Sequence, residues 1–368
     1  MPIIRVLLLT TVICETSTAV STETSSPVLA GPAAEIRSKI AQARSLLAKA
    51  ALGPGWRGDD AVLAVWDGSP ENGITLIDVR NGVSRSAGFA VERQEYNGVS
   101  PDLRVTEPPG LVVLAGKFHV GHGRTRRTVI YTPYTPGLHT PEMVAAGRDY
   151  LDSLLAKAVV ELDAGPTASR AVNGRLVTET VDRRVLAAIL IVEHARFDRL
   201  DDLGLKQVVE EVLVVLAANG DDAYDHAVSR ARAQGLAQFI RSSYQLTRRR
   251  YPDARIKADF NSGASDHLNV VKAQYCLADW TLSALRPETV DELRLPGFEE
   301  DLGAYIAAGY NGGEQRAASA YQRSPVEWEK PGRGLWRETV SYVRNFRMVY
   351  RHLFPEPDRR ETDATFDP

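Results

Sequence analysis

The chain has 368 residues, enough for about two domains at roughly 150 residues per domain. Its apolar fraction of 44% and charged fraction of 25% are ordinary for globular proteins, which excludes a disordered or collagen-like chain. The 44 basic and 47 acidic residues leave a formal net charge of -3, without the broad positive surface that nucleic-acid binding requires. We therefore expect two folded domains and no nucleic-acid partner.

Residues 1–30 have the layout of a secretory signal or leader. An apolar run over residues 6–14 precedes a Ser/Thr-rich stretch with small residues at possible cleavage positions. The run is too short to span a bilayer as a helix, although an uncleaved anchor is the alternative. Cys14 lacks the small preceding residue typical of lipoproteins. We expect the protein to be periplasmic or otherwise exported.

Short β-like runs separated by turn signals follow a first helix predicted at 34–51. The predicted strands lie at 61–66, 74–79, 88–92, 111–120 and 127–131. Thr140 before Pro141 is a good start for a helix that continues to about Leu162. We assign residues 35–165 to a β-rich accessory domain of unknown role.

Beyond a break at residues 163–166 the chain is predicted to be almost wholly helical, because apolar residues recur every three or four positions between breakers. Residues 170–354 form this mainly α-helical domain, and residues 355–368 are predicted to be a disordered tail. The fold class is α+β, with a small β-rich domain before a helical one. The segment 203–218 is unusually apolar for a surface helix and should be buried against the domain or against a partner.

One carboxylate stands out in the helical part. Thr180 is placed to cap a helix over residues 185–192, and Glu193 follows its eight apolar residues. Partial desolvation of such a carboxylate raises its pKa, and an acid that stays protonated near neutral pH can protonate a glycosidic oxygen. A glutamate on the polar face of a surface helix is the plain alternative.

Three further motifs follow Glu193 in order. They are Gly235-Leu236-Ala237-Gln238, Tyr310-Asn311-Gly312-Gly313, and Glu338-Thr339 followed by Tyr342-Val343. Together these residues resemble the soluble lytic transglycosylases and goose-type lysozymes over about residues 185–352. The resemblance implies a lysozyme-like fold, Glu193 as the catalytic acid/base, and cleavage of the β-1,4 bond between N-acetylmuramic acid and N-acetylglucosamine in peptidoglycan.

The resemblance also implies a set of substrate-binding residues, namely Gly235, Gln238, Tyr310, Asn311 and Tyr342. Gln238 offers donors and an acceptor to sugar hydroxyl and N-acetyl groups, and Tyr310 can stack on a sugar ring or bond to it. The Tyr342 hydroxyl is implied to approach the catalytic carboxyl. With Glu193 counted as the first motif, the plain alternatives are a helix start for the second, residues 235–238, and a helix C-cap for the third, residues 310–313.

Three positions depart from the family's pattern. His194 replaces the serine after the catalytic glutamate, Ala237 replaces a methionine, and Gly312 replaces an alanine. The gap between Glu193 and the second motif is also longer than in the family, and the apolar segment 203–218 fills it. We expect this insertion to cover part of the groove or to bind a partner.

No second catalytic carboxylate is distinguished by its context, and Glu338 is assigned a structural role. The candidates by position are Asp198, Asp201, Asp202, Asp221, Asp222, Asp225 and Asp266. We expect no cofactor and no metal, because His119 and His122 lack an evident third ligand.

Three functions stay open at this point. The resemblance favours a transglycosylase that acts on peptidoglycan glycan strands and leaves a 1,6-anhydro end. The alternatives are a hydrolytic muramidase and a weak or silent wall-binding component of an envelope-spanning assembly, which would have a protein partner.

Overall fold

The computed structural model describes residues 32–52, 60–69, 73–96, 101–120 and 127–355. The predicted leader, His122 and the predicted tail after residue 355 lie outside these ranges. The described chain is mixed α+β, with an antiparallel sheet region first and a helical region after it, 56% helical and 14% strand. The coarse fold class predicted from the sequence is therefore confirmed.

The sheet region contains seven described strands, all paired antiparallel. They are β1 (Ala61–Trp66), β2 (Thr75–Arg80), β3 (Val83–Ser84), β4 (Ala90–Tyr96), β5 (Pro101–Glu107), β6 (Val112–Val120) and β7 (Arg127–Tyr131). The main sheet has the order β3-β2-β1-β6-β7, and β4 pairs with β5 in a second, two-stranded sheet. The five predicted strands correspond to β1, β2, β4, β6 and β7. Strands β3 and β5 are not predicted from the sequence. Strand β3 has two residues, and in β5 the alternating Leu103 and Val105 are too few to mark a strand after Pro101.

The described α-helices number twelve. They are α1 (Ala33–Lys49), α2 (Pro141–Ala164), α3 (Val177–Thr180), α4 (Arg183–Val192), α5 (Leu200–Asn219), α6 (Arg241–Arg250), α7 (Phe260–Ser265), α8 (His267–Leu282), α9 (Pro287–Leu293), α10 (Glu299–Gly312), α11 (Glu314–Arg323) and α12 (Arg337–Leu353). No helix within the described ranges has the length and apolar character needed to cross a bilayer.

Strand β1 is buried along its whole length because both of its faces are covered. Side chains alternate between faces along a strand. Val62, Ala64 and Trp66 pack in one apolar cluster with α1 and α5. Ala61 and Leu63 face a second cluster that includes residues of β5. The sheet is therefore the middle layer of the N-terminal region.

Two helix starts test the capping predictions. The Thr140 side chain accepts a hydrogen bond from the Met143 backbone N–H at 3.2 Å, so the predicted start of α2 is confirmed. The prediction that Thr180 caps α4 is wrong. Thr180 ends the short helix α3, and Asp182 caps α4 by accepting from the Arg184 N–H at 2.8 Å. Asp182 lies directly before the helix, so its carboxylate can accept from a backbone N–H group of the first turn that has no partner within the helix. Thr180 lies two residues earlier and is too far away to do so.

Helix α5 contains the apolar segment of the predicted insertion, and its residues from Val208 to Asn219 are nearly all buried. Val209 and Val212 belong to the large apolar cluster of the helical region. Val214 and Ala217 belong instead to the cluster beneath the sheet. The predicted burial of the segment 203–218 is confirmed from Val208 on, while residues 203–207 keep some exposure. Helix α5 joins the cores of the two regions.

Helices α2 and α5 cross with their backbones in contact. Gly147 of α2 makes this possible, since a Cβ at that position would lie 2.0 Å from the Leu213 carbonyl oxygen. The crossing fixes the middle of α5 against α2.

Candidate active site

Glu193 follows directly after α4, a helix whose residues from Val185 to Val192 are all buried. The residue keeps some exposure because it lines a cavity, but protein atoms surround its carboxyl. Burial is the main cause that raises the pKa of Glu193 to about 7, and a hydrogen bond from Tyr342 opposes it. Glu193 therefore keeps its proton to a much higher pH than an ordinary glutamate does, as a general acid requires.

Tyr342 of α12 donates its hydroxyl proton to Glu193 Oε1 at 2.5 Å. Burial beside the Glu193 carboxyl raises the pKa of Tyr342 well above its ordinary value, so this hydroxyl stays a donor. With Oε1 occupied as an acceptor, Oε2 is the oxygen left to carry the acidic proton. Tyr342 thus orients the Glu193 carboxyl, and its hydroxyl approaches that carboxyl as the resemblance implies.

Tyr310 of α10 lies near the same carboxyl but is bonded elsewhere. Its hydroxyl donates to the Ala237 carbonyl, and its ring contacts Phe239 edge to face at 6.0 Å between centroids. Burial and the nearby Glu193 raise the pKa of Tyr310. Tyr310 therefore holds the segment of the second motif beside Glu193, and its hydroxyl is already engaged.

The second motif forms a tight turn that packs against the protein's own backbone. Gly235 has φ +73°, and a Cβ there would lie 2.0 Å from the Ala264 carbonyl oxygen. Gln238 also has a positive φ, and its amide nitrogen donates to the Gly235 carbonyl at 2.9 Å and to the Ala227 carbonyl at 3.3 Å. Gln238 lines the cavity, but its donors serve the turn.

The third motif ends α10 and docks it on α12. The Thr339 hydroxyl donates to Asn311 Oδ1 at 2.8 Å. A Cβ at position 312 would lie 2.7 Å from Thr339 Oγ1, which explains the departure from alanine at Gly312. Gly313 caps the helix with φ +87°. Asn311, predicted to bind substrate, thus uses its side-chain oxygen to hold α10 on α12 by a hydrogen bond.

His194 connects the end of α4 to the second motif. Its ring stacks on Tyr224 with centroids 3.6 Å apart, and its Nε2 lies 2.7 Å from the Leu236 carbonyl oxygen. Burial lowers the pKa of His194 to about 4, so the ring is neutral at pH 7. Because a carbonyl only accepts, the neutral ring must carry its proton on Nε2. His194, at the position where the family that the chain resembles has a serine, therefore donates a structural hydrogen bond to the Leu236 carbonyl.

A partly enclosed cavity of about 250 Å³ opens beside Glu193. Its walls come from the end of α4, from α5, from the chain after β7 and from the segment before α6. The lining residues are Tyr131, Tyr134, Glu193, His194, Arg196, Arg199, Val208, Glu211, Val212, Val215, Tyr224, Ala227, Val228, Ser229 and Gln238. Of the six predicted site residues, Glu193 and Gln238 line this cavity. Tyr342 contacts the cavity indirectly, by its hydrogen bond to the Glu193 carboxyl.

Glu211 is the carboxylate among the lining residues that sequence reasoning missed. It lies on α5 and is only 8% exposed. Burial raises its pKa, while a hydrogen bond from Gln207 and the charges of Arg199 and Arg196 oppose that shift. A signal exists in the sequence, since Glu211 interrupts an apolar run as Glu193 ends one. None of the seven candidate aspartates lines the cavity, and Glu338 is exposed.

Within the described residues, no group of three or more His, Cys, Asp or Glu side chains is placed to hold a metal ion. His119, one of the two histidines considered as ligands, has its Nδ1 3.0 Å from the Thr128 hydroxyl.

No family model matches the chain, and neither do curated proteins or solved structures. Function is therefore inferred from the geometry of the site.

Proposed function

We propose that the protein is an exported peptidoglycan lytic transglycosylase with a lysozyme-like helical domain. One observation carries the proposal: a desolvated glutamate ends a buried apolar helix, is oriented by Tyr342, and lines a cavity. Its pKa of about 7 lets Glu193 give up and take back a proton in the same pH range. The motif order from Glu193 to Tyr342 supports the same conclusion by resemblance.

The proposed reaction needs one carboxyl. Glu193 gives its proton to the glycosidic oxygen as the bond from that oxygen to C1 of N-acetylmuramic acid breaks. The 6-hydroxyl oxygen of the same sugar then bonds to C1, and its proton passes to the Glu193 carboxylate. Glu193 is restored, water is not consumed, and the product ends in a 1,6-anhydro ring.

The electrostatics of Glu193 favour this route over hydrolysis by a carboxyl pair. Retaining hydrolases use two carboxyls about 5 Å apart, and a negative neighbour at that range raises the pKa of the acid. Burial and the Tyr342 bond account for the pKa of Glu193, with no carboxylate contributing. The substrate's own acetamido or 6-hydroxyl group would then complete the reaction.

The test is release of soluble muropeptides from purified sacculi, with the mass of the sugar terminus as the readout. We expect ends lighter by one water than the reducing ends that a lysozyme makes. Reducing ends would show that water is the acceptor and that the protein is a muramidase. The Glu338→Gln protein serves as the control, since this exposed glutamate is outside the cavity.

A second candidate is a weak or silent wall-binding component of an envelope assembly. The use of the Gln238 amide donors within the turn favours it, because those donors are then committed before substrate arrives. Binding to sacculi without release of muropeptides would favour this candidate over the transglycosylase.

A further inference from the structure

A second cavity lies apart from Glu193. This cavity, the α1 groove, has a volume of about 240 Å³ and is formed by α1, α2 and the last turn of α5. Two arginines of α1, Arg37 and Arg44, line it together with apolar residues. None of its lining residues also lines the cavity beside Glu193, so the two cavities are separate sites.

The α1 groove carries positive charge. Arg37 and Arg44 lie on one face of α1, about 10 Å apart along the helix axis. No acidic residue is among the described residues that line the groove. The exposed Asp222 balances Arg44 at 3.1 Å, whereas Arg37 has no ion-pair partner in the part of the chain that the structure describes. An anion in the groove would therefore meet a charge that the protein leaves uncompensated.

Arg44 is held in place before any ligand binds. Its guanidinium donates to Asn219 Oδ1 at 2.7 Å. Asn219 is itself fixed, because it accepts from the Thr132 N–H at 3.0 Å and donates to the carbonyls of Thr132 at 2.8 Å and Val215 at 2.9 Å. Asp222 and Asn219 each use one N–H of a different terminal nitrogen, so each of these nitrogens keeps another for a ligand. A guanidinium fixed in this way loses little freedom on binding.

Apolar residues also line the groove. Ile40 lies between the two arginines on α1, and Leu216 and Ala217 come from α5. All three are almost wholly buried, so they form a firm wall. The volume of about 240 Å³ lies below the roughly 300 to 1,000 Å³ of pockets for drug-sized molecules, and it suits a ligand of about two amino-acid residues.

We propose that the α1 groove binds a short acidic peptide, with one carboxylate on Arg37 and another on Arg44. Guanidinium groups bind carboxylates through paired, charge-assisted hydrogen bonds. Small apolar parts of the peptide would lie against Ile40 and Leu216. Free peptides and the peptide stems of peptidoglycan both present this chemistry. The proposal does not depend on the reaction proposed for Glu193, because the two cavities share no lining residue.

The first test is calorimetry on the full chain with two dipeptides, alanyl-glutamate and alanyl-glutamine. They have nearly the same shape, but the second lacks the side-chain carboxylate. We expect alanyl-glutamate to bind about tenfold more tightly, since one charge-assisted contact is lost with the amide. Equal affinities, or no binding of alanyl-glutamate at millimolar concentration, would overturn the proposal.

The second test removes the uncompensated charge. Arg37→Gln should fold normally because its exposed guanidinium pairs with no described residue. We expect its affinity for alanyl-glutamate to fall about tenfold, and its affinity for alanyl-glutamine to fall less if Arg37 pairs with the side-chain carboxylate. Arg249→Gln is the matched control, an exposed arginine of α6 outside the groove, and should change neither affinity. The same loss in both variants would indicate a general charge effect and would overturn the site.

A muropeptide with an uncrosslinked stem separates the two sources of the ligand. Binding of this probe with loss in Arg37→Gln would assign the groove to the stems of the wall, and binding of the dipeptide alone would assign it to free peptides. Release of muropeptides from sacculi is measured on the same proteins. A wild-type chain that binds alanyl-glutamate but releases nothing would refute the proposed function and keep the groove.

The last test blocks the groove without changing its charge. Ala41 lines the groove on the exposed face of α1, so Ala41→Phe places a ring in the space for the ligand. Gln42→Phe is the control, since the next residue is also exposed but does not line the groove. We expect the affinity for alanyl-glutamate to fall more than tenfold in Ala41→Phe and to stay unchanged in Gln42→Phe. Undiminished affinity in Ala41→Phe would place the ligand elsewhere and overturn the proposal.

Discussion

Two walls of the cavity, the end of α4 and helix α5, each carry a glutamate whose carboxyl is desolvated, but the protein surrounds the two carboxyls differently. Glu193 has one close bond, from Tyr342 at 2.5 Å, and its pKa is raised to about 7. Glu211 has a weak contact at 3.4 Å and positive charge nearby. Burial alone therefore does not assign a role to a carboxyl. Burial raises the pKa of both carboxyls, but only at Glu211 do neighbouring arginines oppose the shift, and only Glu193 receives a short hydrogen bond from a tyrosine.

Among the substitutions that test this comparison, replacement of Glu193, the proposed acid, should have the largest effect. We expect Glu193→Gln to lower the rate of wall cleavage by roughly 10²- to 10⁴-fold, because the amide keeps the shape but cannot donate the proton. Sacculus binding should be retained. The measurement is muropeptide release by the purified variant beside Glu338→Gln. Wild-type rates in the Glu193→Gln protein would remove Glu193 from the mechanism.

A substitution outside the cavity should displace α5, the helix that carries Glu211. Gly147→Ala would place a methyl 2.0 Å from the Leu213 carbonyl oxygen, so α2 and α5 must separate. We expect a loss of about 3 kcal/mol in the free energy of unfolding, near the upper end of typical overpacking costs. Gly73→Ala is the control, since a Cβ at that position would meet no atom within 4 Å. Equal denaturant midpoints for the two variants would contradict the close crossing.

The raised pKa of Glu193 should also change how the stability of the protein depends on pH. A carboxyl with a pKa of 4.5 when unfolded and about 7 when folded favours the folded state less as pH rises through this range. At pH 8 we expect Glu193→Gln to be more stable than the wild type by about 3 kcal/mol, and at pH 4 the difference should vanish. Urea unfolding at both pH values measures it. A constant difference would show that Glu193 titrates normally.

The smallest of these effects should come from the residue that orients the acid. Tyr342→Phe removes a bond that lowers the pKa of Glu193, so the alkaline limb of the activity profile should move above pH 7. We expect kcat/KM to fall about tenfold, since a hydrogen bond to a charged group contributes about 1.5 kcal/mol or more. Tyr350→Phe is the matched control on α12, because its buried hydroxyl has no hydrogen-bond partner among the described residues. Identical pH profiles for both variants would contradict the role of Tyr342.

The sequence predicts local features well where one residue or one pattern decides them. The strands with apolar runs and the Thr140 cap are examples. It fails where distant contacts decide. The need for glycine at 312 comes from Thr339 on another helix, and the need for glycine at 235 comes from the Ala264 carbonyl oxygen.

Glu211 shows the same limit at the site. A glutamate within an apolar run can be recognised in the sequence, but the cavity that it faces is built by four separate segments. The order of the motifs predicts that Tyr342 approaches Glu193, and the structure contains that contact. The insertion is predicted to cover part of the groove or to bind a partner, and α5 does line this cavity, but no motif singles out Glu211.

The position of α5 between two apolar clusters bears on how the chain melts. Val214 and Ala217 are buried by the sheet region, while Val209 and Val212 are buried by the helical region. Separating the regions would expose one side of α5 to water whichever fragment kept it. We expect the described chain to unfold in one cooperative transition, with a calorimetric enthalpy equal to the van't Hoff enthalpy. A fragment that begins after residue 170 should accordingly aggregate unless the apolar side of α5 is made polar.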